Sequence, residues 1–149
     1  MNEAHSEEEI GQLLQAQQQY QAEADAIVHQ LGLIQRSTEG CDKALSTIKA
    51  MGSAEEGQKM LVSIGEGSFI HARIESKDKV ILGVGAGVCI EKTTSEAEDD
   101  LTARKAQLVE GANKMNETLM KIDQGMAKIQ SVLSEYEKGA AAGSEMVVQ

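Results

Sequence analysis

The sequence predicts an α+β fold in which two long helices form an antiparallel coiled coil around two central β-hairpins. Three observations predict it. Apolar residues recur every 3.5 positions in the first third of the chain and again in the last third, as in coiled coils. Between them the apolar period changes to two and glycines interrupt it, as in β-hairpins. Because both helical seams belong to one chain, folding back into an antiparallel pair is the simplest closure.

The first helix is predicted over residues 7–51. Ser6 and Glu9 have the spacing of a capping box, in which each side chain accepts a hydrogen bond from the other residue's amide. Gly52 is the expected stop. The seam is apolar except at Gln17 and Thr38, and consists of Ile10, Leu13, Gln17, Tyr20, Ala24, Ile27, Leu31, Ile34, Thr38, Cys41, Leu45 and Ile48.

Two consecutive β-hairpins are predicted over residues 60–92. Apolar residues alternate with others along four short segments, and a polar link over residues 75–79 separates the second segment from the third. Each hairpin turn contains two glycines, which supply the positive φ that tight turns require. These turn glycines are Gly65, Gly67, Gly85 and Gly87.

Such hairpins are too short to be stable alone, and their outer edges remain open to further pairing. We therefore expect other chains to complete the sheet. The residues expected to mediate subunit assembly are the apolar ones of the strands: Val62, Ile64, Phe69, Ile70, Ile74, Val80, Leu82, Val84, Val88 and Ile90.

The second helix is predicted over residues 96–138, with Ser95 and Glu98 as its capping box and Gly139 beyond its basic last turn. Residues 139–149 are expected to form a flexible tail. Only Lys105 interrupts the apolar seam, which consists of Leu101, Lys105, Leu108, Ala112, Met115, Leu119, Ile122, Met126, Ile129, Leu133 and Tyr136.

An antiparallel pairing brings the start of the first helix beside the end of the second, far from the hairpins. Leu14 and Val132 are apolar but lie off the seams, so they widen the apolar stripe there. An exposed apolar patch usually marks a binding surface; the alternative is a fully paired end with frayed termini. The candidate binding residues are Ile10, Leu13, Leu14, Ile129, Val132, Leu133 and Tyr136, with Met146, Val147 and Val148 as a possible extension.

Composition limits the class of protein. The 149 residues allow one domain but include one Phe, two Tyr and no Trp, which disfavours a compact globular core. A formal net charge of −10 argues against nucleic acid and anionic membranes as partners. The two cysteines, Cys41 and Cys89, suggest small buried side chains in a reduced protein, and neither a signal peptide nor a membrane span is evident. We expect a cytoplasmic location.

No catalytic constellation stands out, so an enzyme is not expected. The glycine run 83–87 resembles a nucleotide-binding loop, but a strand rather than a helix follows it, so a hairpin turn is favoured. The histidines have no second ligand at metal spacing. Neither a metal nor a cofactor is predicted.

The double glycine hairpin between two coiled-coil helices resembles the α class of the prefoldin family. The most specific segments are Leu61-Val62-Ser63-Ile64-Gly65-Glu66-Gly67-Ser68-Phe69-Ile70-His71-Ala72 and Val80-Ile81-Leu82-Gly83-Val84-Gly85-Ala86-Gly87-Val88, followed by Glu91-Lys92. They are similar to the strand-turn patterns of that family, whose β class has one hairpin instead of two. Ser63 stands where many relatives have proline.

The resemblance implies an ATP-independent chaperone. Two α-type and four β-type subunits would join their hairpins into an oligomeric β-barrel platform with six projecting coiled coils. The coiled-coil tips would capture non-native polypeptides and deliver them to a group II chaperonin. The alternative is a coiled-coil scaffold or tether that the hairpins merely oligomerise; an enzyme is the weakest hypothesis.

Overall fold

The computed structural model describes residues 6–145, with Glu145 described for its backbone alone. The elements follow the order helix, four strands, helix. They are α1 (Glu7–Gly52), β1 (Lys59–Gly65), β2 (Ser68–Arg73), β3 (Lys79–Gly85), β4 (Val88–Thr93) and α2 (Thr94–Glu145). The predicted α+β arrangement of two long helices and two hairpins is confirmed.

Helix α1 begins with the predicted capping box. The Glu9 amide donates to Ser6 Oγ at 3.2 Å, and the Ser6 amide donates to the Glu9 carboxylate at 3.0 Å. Three glutamates occupy the first turn, where the helix dipole favours negative charge. The helix ends at Gly52, one residue beyond the predicted boundary.

The strands form two separate antiparallel hairpins, β1–β2 and β3–β4, which we call the first and second hairpin. Their registers match at an offset of twenty residues: Val62 pairs with Ile70, and Leu82 pairs with Ile90. Each hairpin has a bulge just before its turn, where the register shifts between Ser63 and Gly65 and between Gly83 and Gly85. The two hairpins are therefore structural copies of one unit.

The predicted boundaries of α2 need two corrections. The capping box is formed by Thr93 and Glu96, not by Ser95 and Glu98: the Glu96 amide donates to Thr93 Oγ1, and the Thr93 amide donates to the Glu96 carboxylate, each at 3.2 Å. Thr93 has the same spacing to a glutamate and lies where β4 ends, so the helix starts two residues early.

At its other end α2 continues through Gly139 to Glu145, whereas a flexible tail was expected from residue 139. Three alanines at 140–142 lie between the glycines at 139 and 143, and alanine has the highest helix propensity of any residue. Residues 146–149 of the predicted tail lie outside the described residues.

The chain divides into two units, each with its own packing. The first, here called the helical unit, comprises Met1–Ile34 and Gly111–Gln149. Its described seam positions are all buried or half-buried, with Ala24, Ile122 and Ile129 the most enclosed. The Tyr20 ring lies over Gly125 so closely that a Cβ there would come within 3.1 Å of the ring.

The second unit, here called the mixed unit, comprises Gln35–Glu110. Its core is a cluster of buried side chains from both helices and β3: Cys41, Ile48, Leu82, Ala97 and Leu101. Beside this cluster, Lys105 donates to the Asp42 carboxylate at 2.5 Å, so the one charged seam residue of α2 has a partner on α1. A polar pair at a seam fixes the register of a coiled coil.

Candidate functional site

Large apolar side chains are exposed along both hairpins. Strand burial in a self-sufficient sheet follows an in–out alternation, but every residue of β1 is exposed. The exposed apolar residues of the hairpins are Met60, Leu61, Val62, Ile64, Phe69, Ile70, Ile81, Val84, Val88 and Ile90. Such a concentration of apolar surface is typical of an interaction site.

The first hairpin exposes apolar residues on both of its faces. Val62 and the opposing Ile70 lie on one face, whereas Leu61 and Phe69 lie on the other. Phe69 is the only phenylalanine of the chain and is 58 % exposed. A hairpin with two apolar faces can be covered on both sides, as in a barrel wall or between packed layers.

The second hairpin is anchored on the helices of its own chain. Leu82 is only 9 % exposed, and Val80 packs beside it against the core cluster. Arg104 Nη2 donates to the Gly83 carbonyl at 2.8 Å, and Lys92 forms an ion pair with Asp100. One face of this hairpin is therefore occupied, and its opposite face, with Ile81, is open.

The predicted assembly residues thus fall into two groups. Seven of them are exposed strand residues: Val62, Ile64, Phe69, Ile70, Val84, Val88 and Ile90. Ile74, Val80 and Leu82 are half-buried or buried, and Leu82 belongs to this chain's own core. The expectation that other chains cover the apolar strand residues is wrong for Leu82, because Leu82 packs in one buried cluster with Leu101 and Ala97 of α2.

Sequence reasoning missed Met60, Leu61 and Ile81. Ile81 alternates with the predicted residues Val80 and Leu82, whereas Met60 and Leu61 precede Val62, the first apolar residue assigned to a strand. The signal was present: Met60, Leu61 and Val62 are consecutive, and a continuous apolar run predicts a strand covered on both faces.

All four turn glycines adopt positive φ. The values are +103° for Gly65 and +114° for Gly85, with +69° and +74° for Gly67 and Gly87. The residues between them, Glu66 and Ala86, are also left-handed, at 48° and 50°. Two central residues with positive φ are typical of the type I′ turn, whose twist matches that of paired strands.

The helix ends in the helical unit expose less apolar surface than expected. Leu14 is 46 % exposed, but Ile129 is buried. The other candidate binding residues of this end are half-buried: Ile10, Leu13, Val132, Leu133 and Tyr136. Helix packing thus covers most of these candidate binding residues at least partly, and Leu14 is the one that is exposed. The suggested extension over residues 146–148 lies outside the described residues.

Within residues 6–145, no group of three or more His, Cys, Asp or Glu side chains could hold a metal ion. No helix in the same range is both long and apolar enough to cross a membrane. The glycine run 83–87 leads into β4, so the strand predicted after it is present.

Comparisons with known proteins agree with one another. A family model described as "Prefoldin subunit" matches residues 6–138. The protein named "Prefoldin subunit alpha" in Methanothrix thermoacetophila is 51 % identical over 110 residues, which cover 74 % of this chain and 72 % of that protein. Proteins of the same name in Methanococcoides burtonii and Methanosarcina mazei are 36 % and 34 % identical, over 86 % and 93 % of this chain and 93 % and 99 % of their own lengths.

Among solved structures, the cryo-EM structure of filamentous PFD from Methanocaldococcus jannaschii resembles this chain with a TM-score of 0.67. The match covers 81 % of this chain and 98 % of that one at 21 % identity. At this identity the likeness concerns the fold alone.

Proposed function

The chain belongs to the prefoldin family, and we propose that it is the α-type subunit of an ATP-independent chaperone that captures non-native polypeptides at its coiled-coil tips. The observation that carries this proposal is the family match over residues 6–138 together with relatives named as alpha subunits. The complex would pass its clients to a group II chaperonin. We further propose a cytoplasmic location.

Assembly would proceed through the hairpins, with two copies of this subunit and four β-type subunits forming a β-barrel platform. The exposed apolar residues of the first hairpin support this step. Burying one large side chain such as Phe69 or Ile70 stabilises an interface by about 1.5–3 kcal/mol relative to exposure. Several such side chains from each chain suffice for a stable oligomer once the cost of association is subtracted.

Client binding would use the helix ends. Leu14, which is already exposed, would contact the client first, and the half-buried apolar residues around it would add contacts when the helix ends open. Non-native chains expose apolar segments of no fixed sequence, so their binder needs apolar surface without a shaped pocket. Helix termini open locally at little free-energy cost, and opening would uncover Leu13, Val132 and Leu133. Several such ends around one cavity would add weak contacts into useful avidity.

Trimming both helix ends tests the proposal. The complex that lacks residues 1–14 and 129–149 should still assemble, because the hairpins remain, but should no longer suppress aggregation of a denatured test protein without nucleotide. Native mass spectrometry and light scattering provide the two measurements. If the trimmed complex still protects its client at wild-type stoichiometry, the binding surface is not at the helix ends.

A matched pair of substitutions sharpens this test. Leu14→Ser removes the exposed apolar residue near the start of α1, and Val28→Ser removes another exposed one in the same helix, two heptads later. Only the first should weaken protection.

A wild-type complex that assembles but protects no client would favour the scaffold hypothesis. Transfer of a labelled client to an added group II chaperonin tests the delivery step.

A further inference from the structure

A basic cluster lies at the open end of the first hairpin. Lys59, His71 and Arg73 line, with the backbone neighbour Ala72, a shallow hollow of about 480 Å³. Lys59 begins β1 and Arg73 ends β2, and both side chains are exposed. The cluster is unusual in a chain whose formal net charge is −10.

The two cations of this cluster face each other across the two strands. Lys59 is directly opposite Arg73 in the antiparallel register. Like charges at directly opposed positions destabilise a hairpin. Among the ion pairs of residues 6–145, none involves Lys59 or Arg73. The isolated chain therefore holds an arrangement that costs it stability.

The second hairpin shows the same position with its charge balanced. Lys79, which corresponds to Lys59, forms an ion pair with Glu91 at 3.3 Å across the strands. His71 occupies the position of that glutamate in the first hairpin, and Arg73 occupies that of a neutral threonine. The excess positive charge is thus a property of one copy and not of the hairpin unit.

The face that carries the cluster continues into exposed apolar surface. Strand alternation places Leu61 and Phe69 on the same face as Lys59, His71 and Arg73. A complementary partner must offer carboxylates beside apolar side chains. The start of α2, which follows β4 directly, has carboxylates before an apolar residue: Glu98, Asp99 and Asp100 precede Leu101.

The chain already contains one contact of this kind. Lys92 on β4 pairs with Asp100 near the start of α2, so a hairpin lysine is bound by the acidic beginning of a helix. Among the described residues, neither Lys59 nor Arg73 forms such an ion pair with a helix start. We propose that this cluster binds the acidic start of the helix that follows the hairpins in a neighbouring subunit, an inference that rests on the proposed assembly.

Neutralising the cluster should change two properties in opposite directions. In the variant K59Q/R73Q, loss of the like-charge repulsion should raise the melting temperature of the isolated chain by about 1–3 °C. In the complex, loss of the partner's ion pairs should weaken assembly about tenfold at low ionic strength, such as about 50 mM salt. A residue pair with a merely structural role would move both quantities the same way.

The control is K121Q/K138Q, which removes the same charge from exposed positions of α2 and should leave the dissociation constant of the complex unchanged. K59E/R73E should raise the dissociation constant of the complex further than K59Q/R73Q does. The difference in dissociation constant from wild type should disappear at about 1 M salt. Equal dissociation constants for wild type and K59Q/R73Q at low salt would overturn the inference, as would a loss that salt does not diminish.

The two proposals fail differently. If K59Q/R73Q assembles normally while the wild-type complex protects a denatured client, the chaperone function stands and the charged contact does not. If assembly weakens as expected but the wild-type complex protects nothing, the contact stands and the chaperone function does not.

Discussion

The two hairpins have the same backbone and opposite surroundings. Their registers, bulges and left-handed turns coincide at an offset of twenty residues. Yet Leu82 of the second hairpin is 9 % exposed, whereas Val62 at the equivalent position of the first is 37 % exposed. The hairpin form is therefore set locally, by turn glycines and strand alternation, and is independent of whether the hairpin is packed.

What separates the hairpins is a small set of contacts to the helices. Leu82 enters the core cluster with Leu101, Arg104 binds the Gly83 carbonyl, and Lys92 pairs with Asp100. The equivalent positions of the first hairpin are Val62, Ser63 and Ala72, none of which makes such a contact within residues 6–145. The second hairpin thus contributes to the stability of the subunit, whereas the large apolar side chains of the first stay exposed in the single chain.

The largest expected effect is a difference between two truncations at equivalent positions. Leu82→Ala should lower the free energy of unfolding of the isolated chain by about 2–4 kcal/mol, because it leaves a cavity in the core. Val62→Ala should change it by less than about 0.5 kcal/mol. Urea unfolding followed by circular dichroism measures both.

For assembly of the complex, Val62→Ala should have the larger effect of the two substitutions. There Val62→Ala should raise the dissociation constant, since that side chain is available only to a partner. Equal losses of stability from the two substitutions in the isolated chain would mean that both hairpins are anchored alike, which would contradict the proposed difference between them.

Strain in a hairpin turn should lower the global free energy of unfolding only where the hairpin packs against the core. Gly85→Val and Gly65→Val place a β-branched residue at +114° and +103°, at a local cost of about 1–2 kcal/mol each. The first should lower the unfolding free energy by that amount, because the second hairpin is coupled to the core. The second should open the first hairpin locally and leave global unfolding nearly unchanged. Hydrogen exchange of the strand amides separates local from global opening.

The hydrogen bond from Arg104 to Gly83 is expected to contribute less. Arg104→Met keeps the aliphatic stem but removes the donor, and should cost about 1 kcal/mol. Amide exchange should accelerate in β3 and β4 and not in β1 and β2. Lys128→Met, at an exposed position of α2, is the control and should leave exchange in all four strands unchanged.

The periodicities were sufficient to predict the elements. A 3.5-residue seam needs only one side chain in each turn to be apolar, so interruptions at Gln17 and Lys105 did not obscure it. The N-terminal cap was predictable because Ser6 is the only capping residue at that end with a glutamate three positions later, whereas Thr93 and Ser95 each precede a glutamate by three. At the start of α2 the two capping signals are equivalent, so the sequence alone does not choose between them. The choice depends on where β4 ends.

Which hairpin is anchored was not predictable from the pattern. Val62 and Leu82 are both apolar residues at the same strand position, and both were assigned to assembly. The distinction comes from tertiary contacts, since β4 runs directly into α2 and so places β3 against Leu101. The helix ends illustrate the same limit: the sequence identifies apolar residues there, but their exposure depends on how closely the seams pack.

The smallest expected effect concerns the left-handed residues inside the two turns. Ala86 and Glu66 have φ of 50° and 48°, where a Cβ is disfavoured and asparagine is tolerated best after glycine. Asparagine followed by glycine is the preferred pair for a type I′ turn, so Ala86→Asn should raise the unfolding free energy by about 0.5 kcal/mol. Glu66→Asn relieves the same local strain, yet it should leave global unfolding of the isolated chain unchanged and slow only the local exchange of β1 and β2. In the complex, where the first hairpin would be packed, both substitutions should stabilise to a similar degree. Equal gains in the isolated chain would contradict the proposed difference in anchoring, because relief of strain stabilises a fold globally only through an element that unfolds with it.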